Sequence, residues 1–140
     1  MRKPTGMTGG KKRKESKIWS LKDADSRFSN YIKERDNFTC KRCGKIFDSY
    51  DGLSMKNLTC SHFWARQHKG TRFDSKNCIS LCWMPCHKYH FEKEKQGDYR
   101  EFMLTWLGKT EYKELEKRAR GVYPQTRAIM DCMELLGVVY

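Results

Sequence analysis

Four cysteines fall into two closely spaced pairs whose thiolates could hold one metal ion. Cys40 and Cys43 form a CxxC pair, and Cys82 and Cys86 form a CxxxC pair after an interval of 38 residues. Four thiolates make a closed tetrahedral site, which is the structural type of zinc site. The alternative is that the four thiols are buried and bind no metal. The third spacer in the second pair weakens the pattern slightly, and we predict a structural Zn²⁺ at this quartet.

The remaining cysteines, Cys60, Cys78 and Cys132, stand in apolar or alternating segments. A free cysteine in such a context behaves as a small hydrophobic residue, and we expect these three to be buried without a ligand. Cys78 carries a reservation, because Cys78, Cys82 and Cys86 follow one another at intervals of four. The spacing leaves open that Cys78 replaces one member of the quartet.

Three histidines are candidates for chemistry beyond the cysteines. His87 and His90 are three residues apart, so they share one face of a helix, and they directly follow the second cysteine pair. This position favours a second metal ion. His62 precedes that pair, and an imidazole with a reference pKa of about 6.5 is a neutral proton acceptor at physiological pH. The alternative for His62 is a structural histidine that is hydrogen-bonded in the fold.

His62, Asn77 in the segment NCISLC, and His87 together resemble the HNH or ββα-metal nuclease motif, interleaved with a pair of zinc knuckles. The segments RFSNYIKERDNFTCKRCGK and CSHFWARQHKGTRFDSKNCISLC are similar to phage NinG (Rap) recombination nucleases. The resemblance implies a hydrolase that cuts phosphodiester bonds of DNA, with His62 as general base. It also implies that Asn77 braces the loop between two strands.

By the same resemblance, His87 holds a catalytic Mg²⁺ or Mn²⁺, and His90 is the second candidate ligand. Imidazole also suits other divalent ions. Ser61 is the further candidate ligand, and the sequence departs from the family pattern there, because many members carry an acidic residue or a histidine as a metal ligand at this position. Either Ser61 leaves the ion to water, His87, His90 and the substrate phosphate, or another residue such as Asp74 contributes. The extra residue in CWMPC could exchange the roles of His87 and His90.

The charge of the chain favours a polyanionic partner. Lys and Arg number 29 against 17 Asp and Glu, which gives a net charge of +12. Residues 1–17 hold seven basic residues and one acidic residue, which is half of that excess. We expect DNA as the partner, branched or nicked, with phosphate contacts from Lys41, Arg42, Arg66, Lys69 and Arg72. The nearby Trp64 and Phe73 either stack on a distorted base or belong to the core.

The elements that position these residues follow from the hydrophobic periodicity. Phe28, Tyr31 and Ile32 predict an amphipathic helix over 21–35, and short strands are expected over 58–63 and 77–82. A helix follows at CHKYHFEKEKQ, and helices beyond Gly97 pack on the motif. The sequence therefore predicts an α+β fold, with a small ββα-metal motif stapled by zinc knuckles and flanked by helices. Its parts are a disordered basic arm over 1–17, a nuclease core over 18–96 and a helical extension over 97–140.

Other classes of function fit the sequence less well. The N-terminus has no apolar segment of signal-peptide type and the chain has no membrane-length apolar run, so we expect a cytoplasmic protein, in the host cell if a phage encodes it. We expect no membrane partner and no small-molecule cofactor, and a homodimer through the C-terminal helices remains open. The main alternative to a nuclease is a non-catalytic zinc module that binds nucleic acid. An assembly protein with zinc-stabilised binding surfaces is the further alternative.

Overall fold

The computed structural model describes residues 17–91 and 96–138, so the expected basic arm lies outside the described residues apart from exposed Lys17. Helix α1 spans Leu21–Arg35 and begins at Ser20, whose Oγ accepts a hydrogen bond from the Asp23 backbone N–H at 3.1 Å. The helix buries Ala24, Phe28 and Ile32, which lie four residues apart on one face. The predicted helix over 21–35 is confirmed.

A two-stranded antiparallel sheet forms the centre of the molecule. Strand β1 spans Leu58–His62 and strand β2 spans Cys78–Cys82, with Leu58 opposite Cys82 and His62 opposite Cys78. Both predicted strands are confirmed, each one residue shorter than expected. Because alternate residues of a strand point to opposite faces, this register decides which chemical groups meet on each side of the sheet.

Short helical segments surround the hairpin. Helix α2 spans Gly52–Met55 before β1, and the loop between the strands holds helix α3, Lys69–Arg72, and a 3-10 turn, Ser75–Asn77. After β2 the chain is helical over Trp83–His90, with an irregular turn at its start. The predicted helix after the second cysteine pair therefore exists up to His90, and its expected continuation over 92–95 lies outside the described residues.

Three helices complete the chain: α4 over Gln96–Leu107, α5 over Lys109–Arg120 and α6 over Gln125–Leu135. Gly108 between α4 and α5 has φ +86°, a conformation that glycine adopts without steric cost. Helix α4 begins before Asp98, so this carboxylate lies in the first turn of the helix. The observed architecture is α+β, with a small sheet among many helices.

The helices cover both sides of the sheet. One buried cluster joins Ile79 and Leu81 of β2 to Tyr99, Met103 and Leu115 of helices α4 and α5. A second cluster lies against the other side of the hairpin and is made mainly by helices α1 and α6; its members are Ala24, Phe28, Ile32, Phe73, Cys78, Ala128, Ile129, Cys132 and Met133. The C-terminal helices thus pack on both sides of the sheet. Among the helices described, none has both the length and the apolar character needed to cross a lipid bilayer.

Candidate functional site

The structure brings the predicted cysteine quartet together. The Sγ atoms of Cys40, Cys43, Cys82 and Cys86 all lie within 4.8 Å of one another, and those of Cys43 and Cys82 are 3.9 Å apart. The first pair follows α1, Cys82 ends β2, and Cys86 lies on the helical segment behind that strand. Residues 39 positions apart in sequence thus meet at one point, and four thiols in this arrangement could hold a metal ion such as zinc.

Backbone hydrogen bonds form the turn that carries the first cysteine pair. The N–H of Gly44 donates to the Cys40 carbonyl at 2.9 Å, and the N–H of Cys40 donates to the Lys45 carbonyl at 2.9 Å. Gly44 has φ +82°, which a side chain would strain. The N–H of Cys43 lies 3.5 Å from the Cys40 sulfur and stabilises negative charge there. The sequence CKRCGK therefore folds locally into a turn that presents both sulfurs to one side.

The charge state of the quartet is uneven. Burial raises the pKa of the Cys40 thiol, but the N–H groups of Cys43, Cys82 and Arg42 lower it further, to about 7 overall. Burial raises the pKa of Cys82 and Cys86, although the Arg42 guanidinium lies 3.5 Å from the Cys86 sulfur. A divalent ion would displace the remaining thiol protons, so metal affinity should rise with pH.

The reservation about Cys78 is settled by the sheet. Cys78 is fully buried in the cluster with α1 and α6, and it does not belong to the quartet. Its sulfur instead lies within 4.8 Å of the Cys60 sulfur and of a ring nitrogen of His62. Cys60 and Cys78 were expected to be separate hydrophobic residues, and this group was not predicted from the sequence. A signal was present, because Cys60 and His62 are two residues apart on a strand and so share one face.

His62 stands at the end of β1 with its ring tied to the backbone. Its Nε2 lies 2.9 Å from the Arg72 carbonyl oxygen, and its ring packs 6.2 Å from the Phe28 ring, centroid to centroid. Since a carbonyl only accepts, Nε2 carries the proton and Nδ1 carries the lone pair. Burial is the main reason that the pKa of His62 falls to about 4, so the ring is neutral at physiological pH.

Asn77 is fully buried, and both its side-chain oxygen and its side-chain nitrogen are hydrogen-bonded. Its Oδ1 accepts from the Trp64 N–H at 2.8 Å, and its Nδ2 donates to the carbonyls of Trp64 at 2.9 Å and Thr71 at 3.0 Å. These bonds tie the start of β2 to the residues after β1 and to helix α3. Because Thr71 directly precedes Arg72, Asn77 also fixes the position of the Arg72 carbonyl, which accepts the hydrogen bond from the His62 ring.

Ser61 does not fit the predicted role of a ligand to the catalytic ion. Its side chain is 1% exposed, and its Oγ lies 2.8 Å from the hydroxyl of Tyr99, which is itself buried. Ser61 and His62 are consecutive in β1, so their side chains point to opposite faces of the sheet. The expectation that Ser61 binds the catalytic ion together with His87 and His90 is therefore wrong. Asp74, the alternative, bonds the Lys76 N–H and Arg118.

His87 fits a ligand role in part. Its ring is half-buried and packs 5.4 Å from the Trp83 ring, and burial lowers its pKa. Its Nδ1 is buried and has no hydrogen-bond partner among the described residues. A water molecule or a metal ion would satisfy this nitrogen. Within residues 17–91 and 96–138, however, no group of three metal-ligating side chains contains His87 or His90, so the catalytic ion stays a prediction.

The predicted DNA-contacting residues differ in exposure. Lys41 and Arg42 are exposed on the turn of the first cysteine pair, and the Arg66 side chain is 60% exposed. Lys69 is half-buried at the start of α3. The expectation for Arg72 is wrong, because its side chain is only 10% exposed and bonds Asp25 through two nitrogens, at 2.9 and 2.6 Å. A guanidinium neutralised in this way does not reach a phosphate.

The two aromatic residues of the loop have different surroundings. Phe73 is 8% exposed and meets Phe28 edge to face at 5.6 Å, so it belongs to the core as the second alternative held. Trp64 is half-buried, with the His68 ring at 5.4 Å and the Arg120 guanidinium over its ring at 5.4 Å. Of the two, only Trp64 retains an exposed surface on which a base could stack.

Comparisons with protein-family models, with curated proteins and with solved structures gave no match for this chain.

Proposed function

We propose that the protein is a metal-dependent endonuclease of HNH type that hydrolyses phosphodiester bonds in DNA, by nicking or by cleavage of branched DNA. The proposal rests mainly on the position and hydrogen bonding of His62. This neutral histidine ends β1, its protonated Nε2 is held by the Arg72 carbonyl, and β1 pairs with the strand that leads to Cys82 and Cys86. The order of strand, braced loop, strand, cysteine pair and helical segment is the one that the resemblance implies.

The chemistry of His62 suits a general base. The Arg72 carbonyl fixes the tautomer, so the Nδ1 lone pair can take a proton from a water molecule that attacks phosphorus. Burial and the Arg66 and Arg72 guanidinium groups oppose the imidazolium formed when the proton is taken, whereas the hydrogen bond to the Arg72 carbonyl and the Asp25 carboxylate favour it. A divalent ion on His87 and His90 would stabilise the negative charge that develops on the leaving oxygen.

The charge distribution supports a nucleic-acid substrate. The chain carries a net charge of +12. Lys41 and Arg42 are exposed on the turn of the first cysteine pair, and Arg66 is exposed in the loop after β1. Contacts of this kind neutralise phosphates and release counterions, so binding should weaken steeply as salt rises. They carry no sequence information, which agrees with a substrate recognised by its backbone and shape.

A second candidate is a non-catalytic zinc module that binds nucleic acid. It is favoured by Ser61, whose hydroxyl is occupied by Tyr99, and by the lack of any third metal-ligating side chain beside His87 or His90 among the described residues. Such a module needs the cysteine quartet and the basic surface. It has no use for the neutral ring of His62.

Cleavage of supercoiled plasmid by zinc-loaded protein in Mg²⁺ or Mn²⁺ tests the proposal. His68→Ala is the matched control, because His68 is in the loop after β1 and its Nδ1 also lies against a backbone carbonyl, that of Ala119 at 3.1 Å. Loss of a general base should lower the cleavage rate roughly 100-fold or more in His62→Ala. His68→Ala should cut like the wild type. Equal rates for the two variants would refute the proposal, and salt-sensitive binding without any cutting would favour the second candidate.

A further inference from the structure

We propose that Cys60, His62 and Cys78 form a second metal site, separate from the cysteine quartet and selective for a thiophilic divalent ion such as Zn²⁺. The two sulfurs and one His62 nitrogen lie within 4.8 Å of one another. In a tetrahedral zinc site with Zn–S bonds of about 2.3 Å, two sulfurs are about 3.8 Å apart. Small side-chain adjustments would therefore bring the three groups to bonding distance.

The sheet builds this group. Cys60 and His62 are alternate residues of β1 and point to one face, and His62 is directly opposite Cys78 in β2. Three ligands carried by two hydrogen-bonded strands are held with little freedom. Cys78 is fully buried, whereas Cys60 and His62 are half-buried, so an ion would approach from the side of β1.

The neighbours of the group resemble those of metal ligands elsewhere in proteins. A histidine that binds a metal through one nitrogen usually donates its other N–H to a carbonyl or carboxylate, and His62 donates Nε2–H to the Arg72 carbonyl at 2.9 Å. The Arg35 guanidinium bonds the Cys78 carbonyl at 2.7 Å, and Lys33 is close enough to Cys60 for their charges to interact. Both cations favour thiolates over thiols, whereas burial and the Asp74 carboxylate oppose ionisation of Cys78.

The ligand set decides which ions bind. Two thiolates and an imidazole suit Zn²⁺, Co²⁺ and similar ions, and they discriminate against Mg²⁺ and Mn²⁺, which take oxygen ligands. Three protein ligands also leave a fourth position for water. We expect weaker binding here than at the quartet, because the quartet offers four thiolates against two here, and because Cys78 must lose its proton in a buried environment.

Occupancy of the site has a consequence that rests on the proposed nuclease function. The Nδ1 lone pair of His62 cannot bind an ion and accept a proton from water at the same time. Zinc at the Cys60–His62–Cys78 group would therefore inhibit cleavage in Mg²⁺, although zinc at the quartet stabilises the fold. The same histidine makes the two uses mutually exclusive.

The test is the stoichiometry of Zn²⁺ by native mass spectrometry, together with titration by Co²⁺. Cys60→Ser and Cys78→Ser should each bind one ion fewer than the wild type, and they should lose the thiolate-to-cobalt absorption of that ion. Cys132→Ser is the matched control, since Cys132 is buried outside both groups. It should bind as many ions as the wild type. Far-ultraviolet circular dichroism checks folding, and Cys60→Ser, at a half-buried position, serves if Cys78→Ser fails to fold.

Equal metal content in the wild type and in folded Cys60→Ser would overturn the proposed site, whether or not the protein cuts DNA. If the wild type cuts DNA, added Zn²⁺ should slow its cleavage, and the factor by which Zn²⁺ slows cleavage should be at least tenfold smaller in Cys60→Ser. Loss of one ion without any cleavage activity would keep the metal site and count against the nuclease alone.

Discussion

The hydrogen bonds of Asn77 make its replacement by alanine a quantitative test of the fold around His62. Asn77→Ala removes three bonds, to the N–H and carbonyl of Trp64 and to the carbonyl of Thr71, at 2.8 to 3.0 Å. At about 1 kcal/mol for each bond, the free energy of unfolding should fall by about 3 kcal/mol. For a chain of this size, the midpoint of thermal unfolding should fall by roughly 10 °C.

Chemical denaturation of zinc-loaded protein measures this loss, with Asn30→Ala as the control. Asn30 is exposed on α1, so its replacement should change the free energy of unfolding by less than about 0.5 kcal/mol. In Asn77→Ala the freed loop should also release the Arg72 carbonyl from His62, so cleavage should fall under the proposed function. A loss of stability under about 1 kcal/mol in Asn77→Ala would refute the reasoning that these bonds hold the loop.

Three further predictions concern packing, metal and pH. In chemical denaturation, Gly70→Ala should lower the free energy of unfolding by about 1 to 3 kcal/mol, because the added Cβ would lie 2.5 Å from the Arg118 carbonyl oxygen. Gly52→Ala is the control, since its Cβ would lie in open space. Equal losses of stability in the two variants would contradict this prediction. Cys40→Ser should lose one tightly bound metal ion by native mass spectrometry and unfold at lower temperature; unchanged metal content would rule out the quartet. The pKa of His62 is about 4 in the folded protein, below its ordinary value of 6.5. Its contribution to the free energy of unfolding is therefore complete above pH 6.5 and is lost as the pH falls towards 4, by about 3 kcal/mol. His62→Gln should lack this dependence of stability on pH, and the same dependence in that variant would disprove the assignment.

Much of the local structure could be predicted from the sequence. The spacing of Phe28 and Ile32 fixed the buried face of α1, and the alternating segments around Cys60 and Cys78 gave both strands to within one residue. These periods are properties of the backbone, which repeats every 3.6 residues in a helix and every two in a strand. The cysteine quartet was predictable for a related reason, because closely spaced thiols within one turn already point together.

The side of the sheet on which each chemical group lies could not be predicted. Ser61 was a candidate ligand of the catalytic ion, but its side chain faces away from that of His62, and packing of α4 buries it against Tyr99. Strand alternation gave this opposition in principle. It did not say which face would be covered by a helix from the end of the chain.

The sequence by itself determined the helix and strand periods, the cysteine pairs and the excess of positive charge. Only the tertiary structure decided that Arg72 is neutralised by Asp25 across 47 residues, and that Cys78 meets Cys60 and His62 instead of the quartet. The physical reason is range. Periodicity and turn chemistry act over a few neighbouring residues, whereas ion pairs and metal-ligating groups form between residues that packing brings together from distant parts of the chain.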